Sequence, residues 1–277
     1  MKIVSWNVNS RSKDETLKDQ CAFLSSLDCD VICLQEITVK SQVFFKEFFQ
    51  DRHIISSFDL SKDLDLLTRK RKYGEIIVSN HPFTPLDPYR INIPFPERVL
   101  SVKLLDGYKD LEIYTTHVPP GSSNGVIKVE HFEGLFEYLQ SNQAQKILTG
   151  DFNSPKAELE TGEVITWGQK INASGVVRMA VNPKWKDDCS AERWDSAERN
   201  IIQNHTELGM HDAFRSLNDY QDQSGSWFIN RKDLQLGRRY DHVFCSNEIK
   251  PIHCYYDHKP RENKLSDHSP VIAELSI

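Results

Sequence analysis

The stretch KILTGDFNSP, Lys146 to Pro155, decides how the rest of this chain is read. Four residues suited to a buried strand run into Gly150, and Asp151, Phe152 and Asn153 follow at once. A pleated strand sends alternate residues to the same side, so Asp151 and Asn153 can face one point. A plain turn is the competing explanation, because Asp and Asn side chains hydrogen-bond the local backbone. What separates the two is whether other strands end the same way. They do. SWN stops on Asn7, ICLQE on Glu36 and IYTTH on His117, while RRYDHVF carries Asp241 and LSDHSP carries Asp267 and His268.

Each of these endings alone is weak evidence, since short motifs recur by chance. Together they place carboxylates, carboxamides and imidazoles on one rim, with no thiolate among them. Such a donor set suits a hard divalent cation such as Mg2+. Without a cation or a substrate contact, so many anionic groups side by side would be costly to bury.

The elements between these endings define the architecture. Leu17, Cys21, Leu24 and Leu27 recur at helical spacing over Asp14 to Leu27, with Asp14 as the expected N-cap. Further helices are expected at Ser41 to Gln50, Ile127 to Leu139 and Ser196 to Leu208. Strands are expected at KIVSW, DVICLQE, YGEIIVSN, Val99 to Leu105 and Leu111 to His117. The C-terminal part adds GSWFI, YDHVFCS, IHCYYD and SPVIAEL. Several strands follow one another with no helix between. That argues against a doubly wound parallel sheet and for an α/β sandwich, two packed sheets with helices outside.

The 277 residues contain no Pro/Gly/Ser tract, low-complexity run or fixed-period repeat, so one domain over residues 1–277 is expected. Formal net charge is −6, so a polyanion would have to meet a local basic patch rather than a basic surface. TRKRK (Thr68 to Lys72) and NRKDLQLGRRY (Asn230 to Tyr240) are the candidates, each also readable as a solvated loop. The six cysteines show no Cys-x-x-Cys pair or zinc spacing, and MKIVSWNV lacks the apolar stretch of a signal peptide. A reducing, cytoplasmic setting without membrane association is expected, as a monomer.

Asn7, Gln35–Glu36, THVPPG, GDFNS, RRYDHVFCS and SDHSP stand in the order and rough spacing of the endonuclease/exonuclease/phosphatase superfamily, which the chain resembles from Trp6 to Leu275. AERNIIQNHTELGMHDAFRSLN followed by GSWFINRKDLQLGRRYDHVF is most similar to the exonuclease III branch. The resemblance implies a four-layer α/β/β/α sandwich of the deoxyribonuclease I-like type, with two mixed sheets flanked by helices. It also implies Mg2+-dependent hydrolysis of a phosphate ester, with Mn2+ able to substitute.

By the same resemblance Glu36, with Asn7 and Asp267, would hold the metal. Asp151 would orient or deprotonate the attacking water, and Asn153 would hold that water or the phosphate. His268, its tautomer fixed by Asp241, and His117 would contact the phosphate. Lys128, Trp227, Phe228, Arg238 and Arg239 would contact DNA, with one of the two rings in the core and the other at the substrate.

Two departures stand out. His117 occupies a position that is usually Tyr in abasic-site enzymes of that branch, and His there is more like pancreatic deoxyribonuclease and the phosphatase and sphingomyelinase branches. The segment DLSKDLDLLTRKRK is longer than the branch usually has. The leading expectation is therefore a DNA endo- or exonuclease. A phosphatase or phosphodiesterase for a small molecule or lipid head group is second, and a non-enzymatic binding module is third.

Overall fold

Side-chain alternation builds the molecule outward from a layer between two sheets. The computed structural model describes residues 1–277 apart from 64, 66, 68–71, 106, 109, 173, 182–188, 232 and 233. Among the described residues twelve strands form two six-stranded sheets. The first runs in the order β17 (Lys250–Tyr256), β18 (Val271–Ser276), β1 (Lys2–Asn7), β2 (Val31–Ile37), β4 (Gly74–Ser79), β3 (His53–Ser56). The second runs β13 (Met210–Asp212), β16 (Asp241–Ser246), β8 (Lys146–Asp151), β7 (Glu112–His117), β6 (Val99–Leu104), β5 (Phe83–Pro85). Each sheet has one parallel pair at its centre, β1 with β2 and β7 with β8, and is antiparallel elsewhere.

Residues of one parity meet between the sheets: Ile3, Val31, Cys33 and Ile77 against Val102, Ile113, Ile147 and Val243. The opposite parity faces outward. Val4, Trp6, Ile32 and Leu34 pack on Leu17, Cys21 and Leu24 of helix α1 (Asp14–Ser26) and on Phe45 of α2 (Val39–Phe48). Tyr114, Leu148 and Phe244 pack on the helices Val126–Ser141 and Ala191–Ile202. Helix, sheet, sheet, helix is the expected four-layer sandwich.

Three local expectations need correction. Lys13, not Asp14, occupies the N-cap of α1, and Asp14 in the first turn pairs with Lys40 at 2.8 Å. The helix expected from Ser196 starts at Ala191, because Ser190 caps it by accepting a hydrogen bond from the Arg193 N–H at 3.1 Å. It ends at Ile202, and His205–Leu208 is a separate 3-10 turn. The GSWFI strand lies outside both large sheets, in a hairpin of Trp227–Arg231 with Leu234–Arg238. Most of the TRKRK run (residues 68–71) and Lys232 fall outside the described residues.

Gly150 of the opening stretch has a backbone reason. Its φ is +133°, and a Cβ there would lie 1.9 Å from the Thr116 carbonyl oxygen of the neighbouring parallel strand. Any side chain would push β7 from β8 just where both deliver their last residues.

Candidate active site

The inward parity of each central strand grades from apolar to polar toward one rim. In β1 it reads Ile3, Ser5, Asn7; in β7, Ile113, Thr115, His117; in β8, Ile147, Thr149, Asp151. A step below the rim, Gln35 Nε2 donates to Ser5 Oγ at 2.9 Å and Thr115 Oγ1 at 2.8 Å, linking the sheets through hydrogen bonds. Glu36 would point outward by parity. A register irregularity between Leu34 and Ile37 and a φ of +57° turn it instead toward the rim, as a bulge does beside a site.

At the rim Asn7 Nδ2 donates to Asp151 Oδ2 at 2.9 Å and to Glu36 Oε1 at 3.2 Å. His117 Nε2 lies 3.7 Å from both Asp151 Oδ2 and Glu36 Oε1. Asp241, opposite Asp151 in the antiparallel β8–β16 register, bonds His268 Nδ1 at 2.7 Å, and His268 Nε2 lies 3.8 Å from Asp151 Oδ2. The His268 backbone is held by Trp6 Nε1 on its carbonyl at 2.9 Å and by Ser266 Oγ on its N–H at 3.1 Å. Asn153, just past the strand at φ +49°, bonds Asp151 Oδ1 through its N–H at 2.8 Å and the Val118 carbonyl through Nδ2 at 2.9 Å.

These groups set one another's charge. Burial, with the Asp241 charge adding, pushes Asp151 up to about 7, while His268 pulls it down. Burial opposes the imidazolium of His268, but the Asp241 and Asp151 charges prevail and hold its pKa at about 10. Burial, then the Arg98 charge, holds His117 well below the usual histidine range, so it is neutral. Burial also raises Glu36, against the Asn7 hydrogen bond and the His268 charge.

The rim opens into a cavity of about 480 Å3 lined by Glu36, His117, Asp151, Asn153, Asp267 and His268 on its floor. Its walls are Trp167, Trp194, Trp227, Tyr240, Arg238 and the 120–122 loop. Gly121 in that loop is required by contact, since a Cβ there would meet the Trp194 ring at 2.4 Å.

A model of the endonuclease/exonuclease/phosphatase family matches residues 4–268. The chain belongs to that family. Among its relatives, exodeoxyribonuclease III of Haemophilus influenzae is 25% identical over 298 residues, covering 99% of this chain and all of the relative. Two solved structures share the fold at a TM-score of 0.67 with full coverage of both chains: an AP endonuclease from Archaeoglobus fulgidus at 21% identity, and the 3′ phosphatase NExo from Neisseria bound to a product DNA hairpin at 24%. As a member of this family the chain is a phosphoric ester hydrolase.

Donor chemistry fits a metal in this family member. Glu36 offers carboxylate oxygens at the cavity floor beside exposed Asp267. Asn7, expected as a ligand, instead turns Nδ2 to the rim and has its Oδ1 on the Asn9 N–H at 2.9 Å, so it positions Glu36 and Asp151. Asp151, Asp241 and His268 bring ligand atoms within 4.8 Å of one another. In the second group His268 Nδ1 is already bonded to Asp241, so it holds a proton more readily than a cation.

Three residues expected at DNA lie elsewhere. Arg239 is buried, with Nη2 at 2.6 Å from both Glu158 Oε1 and Asp212 Oδ2, so it ties the Ala157–Glu158 strand to the second sheet. Phe228 packs under the Arg261 guanidinium at 4.1 Å and against His258, away from the cavity, whereas Trp227 lines it. Lys128 borders the cavity, but its three ammonium protons go to Glu198 Oε1 (2.7 Å), Ser154 Oγ (2.8 Å) and the Asn153 carbonyl (2.9 Å). It braces Asn153 rather than meeting a phosphate. Arg238 does face the cavity, stacked on Trp167 at 4.6 Å and bonded to the Tyr240 hydroxyl at 2.7 Å.

The Arg238/Arg239 contrast gives a prediction. Arg239→Ala takes the shared cation from two buried carboxylates, leaving Glu158 to Arg215 and Asp212 to the Phe214 and Arg215 N–H groups. It is expected to destabilise the fold by about 3–5 kcal/mol, lowering Tm by roughly 6–20 °C. Arg238→Ala should leave Tm within a few degrees and raise KM for DNA about tenfold, as loss of a desolvated cation–π contact would. Thermal melts and steady-state kinetics of the pair check the assignment; equal melting losses would refute it.

Trp167, Trp194, Tyr240 and Arg98 escaped the sequence reading. Only Trp194 left a usable signal, four residues before Glu198 on one helix, where its Nε1 bonds Glu198 Oε1 at 2.7 Å.

Proposed function

We propose that this chain is a Mg2+-dependent DNA nuclease of the exonuclease III type. The observation that carries the reading is the convergence of Asn7 and Glu36 from one sheet with His117, Asp151 and Asp241 from the other, and with His268 from the segment that leads into β18, under an aromatic wall that includes Arg238. Glu36 would hold the cation, with Asp267 beside it and Asn7 orienting the Glu36 carboxylate, and the cation when bound would neutralise charge on the phosphate oxygens. Asp151, held by Asn7 and by the Asn153 N–H, takes the proton of the attacking water. The oxygen–phosphorus bond forms as the ester bond opposite it breaks. The His268 imidazolium, supported by Asp241, and the His117 Nε2–H face the negative charge that grows on the phosphate oxygens, and the leaving oxygen departs with the electron pair of the broken ester bond.

The wall supports a nucleic-acid substrate. Bases stack on aromatic faces whatever their identity, and Arg238 beside Trp167 and Trp227 adds cationic stacking. The names of the relatives point the same way. The six cysteines are free and buried, which suits a cytoplasmic location, and no described helix is long and apolar enough to cross a membrane.

The test compares turnover on duplex DNA, single-stranded DNA and inositol phosphates in one Mg2+ buffer across a salt series. DNA hydrolysis is expected to dominate, with log(kcat/KM) falling linearly with log salt as counterion release requires. The acidic balance of the chain favours a small-molecule phosphatase as the second reading. Preference for inositol phosphates, insensitive to salt, would decide for it.

A further inference from the structure

We propose that Arg98 is the positioning residue that locks His117 in its Nε2–H tautomer, making this histidine a fixed neutral hydrogen-bond donor to the phosphate and not a proton source. The inference rests on the reading of the rim as a phosphate-ester hydrolysis site. Arg98 belongs to none of the strand endings that frame that site. It closes the 3-10 turn Pro96–Arg98 that leads into β6.

Arg98 Nη1 lies 2.5 Å from His117 Nδ1, and both side chains are buried. A guanidinium has donors only, so Nδ1 must accept, and the ring proton is left on Nε2. Nε2 is the nitrogen 3.7 Å from Glu36 Oε1 and Asp151 Oδ2, on the cavity floor. A second proton, on Nδ1, would set an N–H of an imidazolium against the N–H of a guanidinium with no acceptor between them. His117 can therefore present its one proton to a phosphate oxygen, where a phenol hydroxyl would otherwise do so, but cannot recharge from the arginine side.

The placement of Arg98 is built, not incidental. Its carbonyl accepts from Thr116 Oγ1 at 3.0 Å, which pins it to the strand that ends in His117. The Tyr73 ring lies 5.1 Å from its guanidinium carbon. Glu75 is fully buried at the rim end of β4, and neither of its carboxylate oxygens has a hydrogen-bond partner among the described residues. Burial pulls the pKa of the Arg98 guanidinium down and Glu75, Glu36 and Glu97 oppose that, while burial also pushes the Glu75 carboxyl well above its usual range.

The test has two arms. In the intact protein labelled with 15N-histidine, His117 is expected to show a pyridine-type Nδ1 and a pyrrole-type Nε2, and Arg98→Met to give mixed tautomers. In kinetics Arg98→Met is expected to lower kcat on DNA about 10²-fold with KM nearly unchanged, the scale of one lost donor to a developing oxyanion. Arg98→Lys, which keeps a donor and the charge opposite Glu75, should recover most of that loss and covers the case in which Arg98→Met does not fold. In a His117→Tyr background, where no tautomer needs fixing, the same Arg98 substitution should cost less than about threefold, so the double-mutant cycle should show Arg98 and His117 strongly coupled.

A protonated Nδ1 in the resting enzyme, or an Arg98 substitution that costs as much in the His117→Tyr background as in wild type, overturns the proposal. The NMR arm does not need turnover. If the tautomer is as stated but no DNA or other phosphate ester is cleaved, the hydrolase reading fails and the Arg98–His117 lock stands.

Discussion

Replacing Asp151 with asparagine is expected to lower turnover on DNA by at least about 10²–10⁴-fold, the range of a lost general base, while the protein still melts cooperatively. The carboxamide is nearly the same size and can keep the Asn153 N–H contact, so packing is preserved while the base and the bond from Asn7 Nδ2 are lost. The pH profile gives a second reading of the same group. With burial and the Asp241 charge holding Asp151 up at about 7, its active carboxylate form is gained as pH rises through that value. His268 stays protonated until about 10. In wild type kcat/KM should therefore rise across neutral pH and then stay level over the next two or so units, with the rising limb moved to lower pH as a cation fills the site. The residual activity of Asp151→Asn should lack that limb. Retained near-normal turnover in Mg2+, or an unchanged limb, would remove Asp151 from its role.

The second large effect is expected at Glu36. Glu36→Gln keeps the shape but removes the negative charge and puts an NH2 in place of one of the two carboxylate oxygens at the cavity floor beside Asn7. Loss of a direct ligand should weaken Mg2+ by at least about 100-fold, beyond the 10–100-fold typical of an outer partner. Activity at low Mg2+ should fall in step and return partly at high Mn2+. Calorimetric metal titration of Glu36→Gln beside Asp241→Asn separates two placements of the ion. Unchanged affinity in Glu36→Gln with loss in Asp241→Asn would move the cation to the Asp151, Asp241 and His268 group.

The sandwich and its rim were legible in the sequence for a physical reason. Strand termini are local events, written as an apolar run that stops on a polar residue, and KILTGD, IYTTH and KIVSWN each carry one. Parity then orders them, since Ile147, Thr149 and Asp151 must share a face. What could not be read was partner choice. Arg238 and Arg239 are adjacent and alike, yet one stacks on Trp167 over the cavity and the other is buried against Glu158 and Asp212. That outcome depends on Glu158, about eighty positions away. Lys128 is similar: only the fold reveals that Glu198 takes its charge. Glu36 was identified by its motif, but the bulge that turns it inward has no mark in ICLQE. Arg98 sits in FPERVL, which offers no strand ending at all.

The reacting groups are divided between two sheets that touch through side chains and have no backbone ladder in common. Asn7 and Glu36 are carried by one slab, His117, Asp151 and Asp241 by the other, so the methyl groups of Val31, Ile77, Ile113 and Val243 act as shims that set the gap. A change of one methylene deep in that interlayer displaces opposing walls relative to each other without altering either wall. Rate and heat resistance in this scaffold are thereby adjustable by the same few aliphatic residues, and adaptation to a new temperature could retune the chemistry from a distance while every reacting group stays as it is.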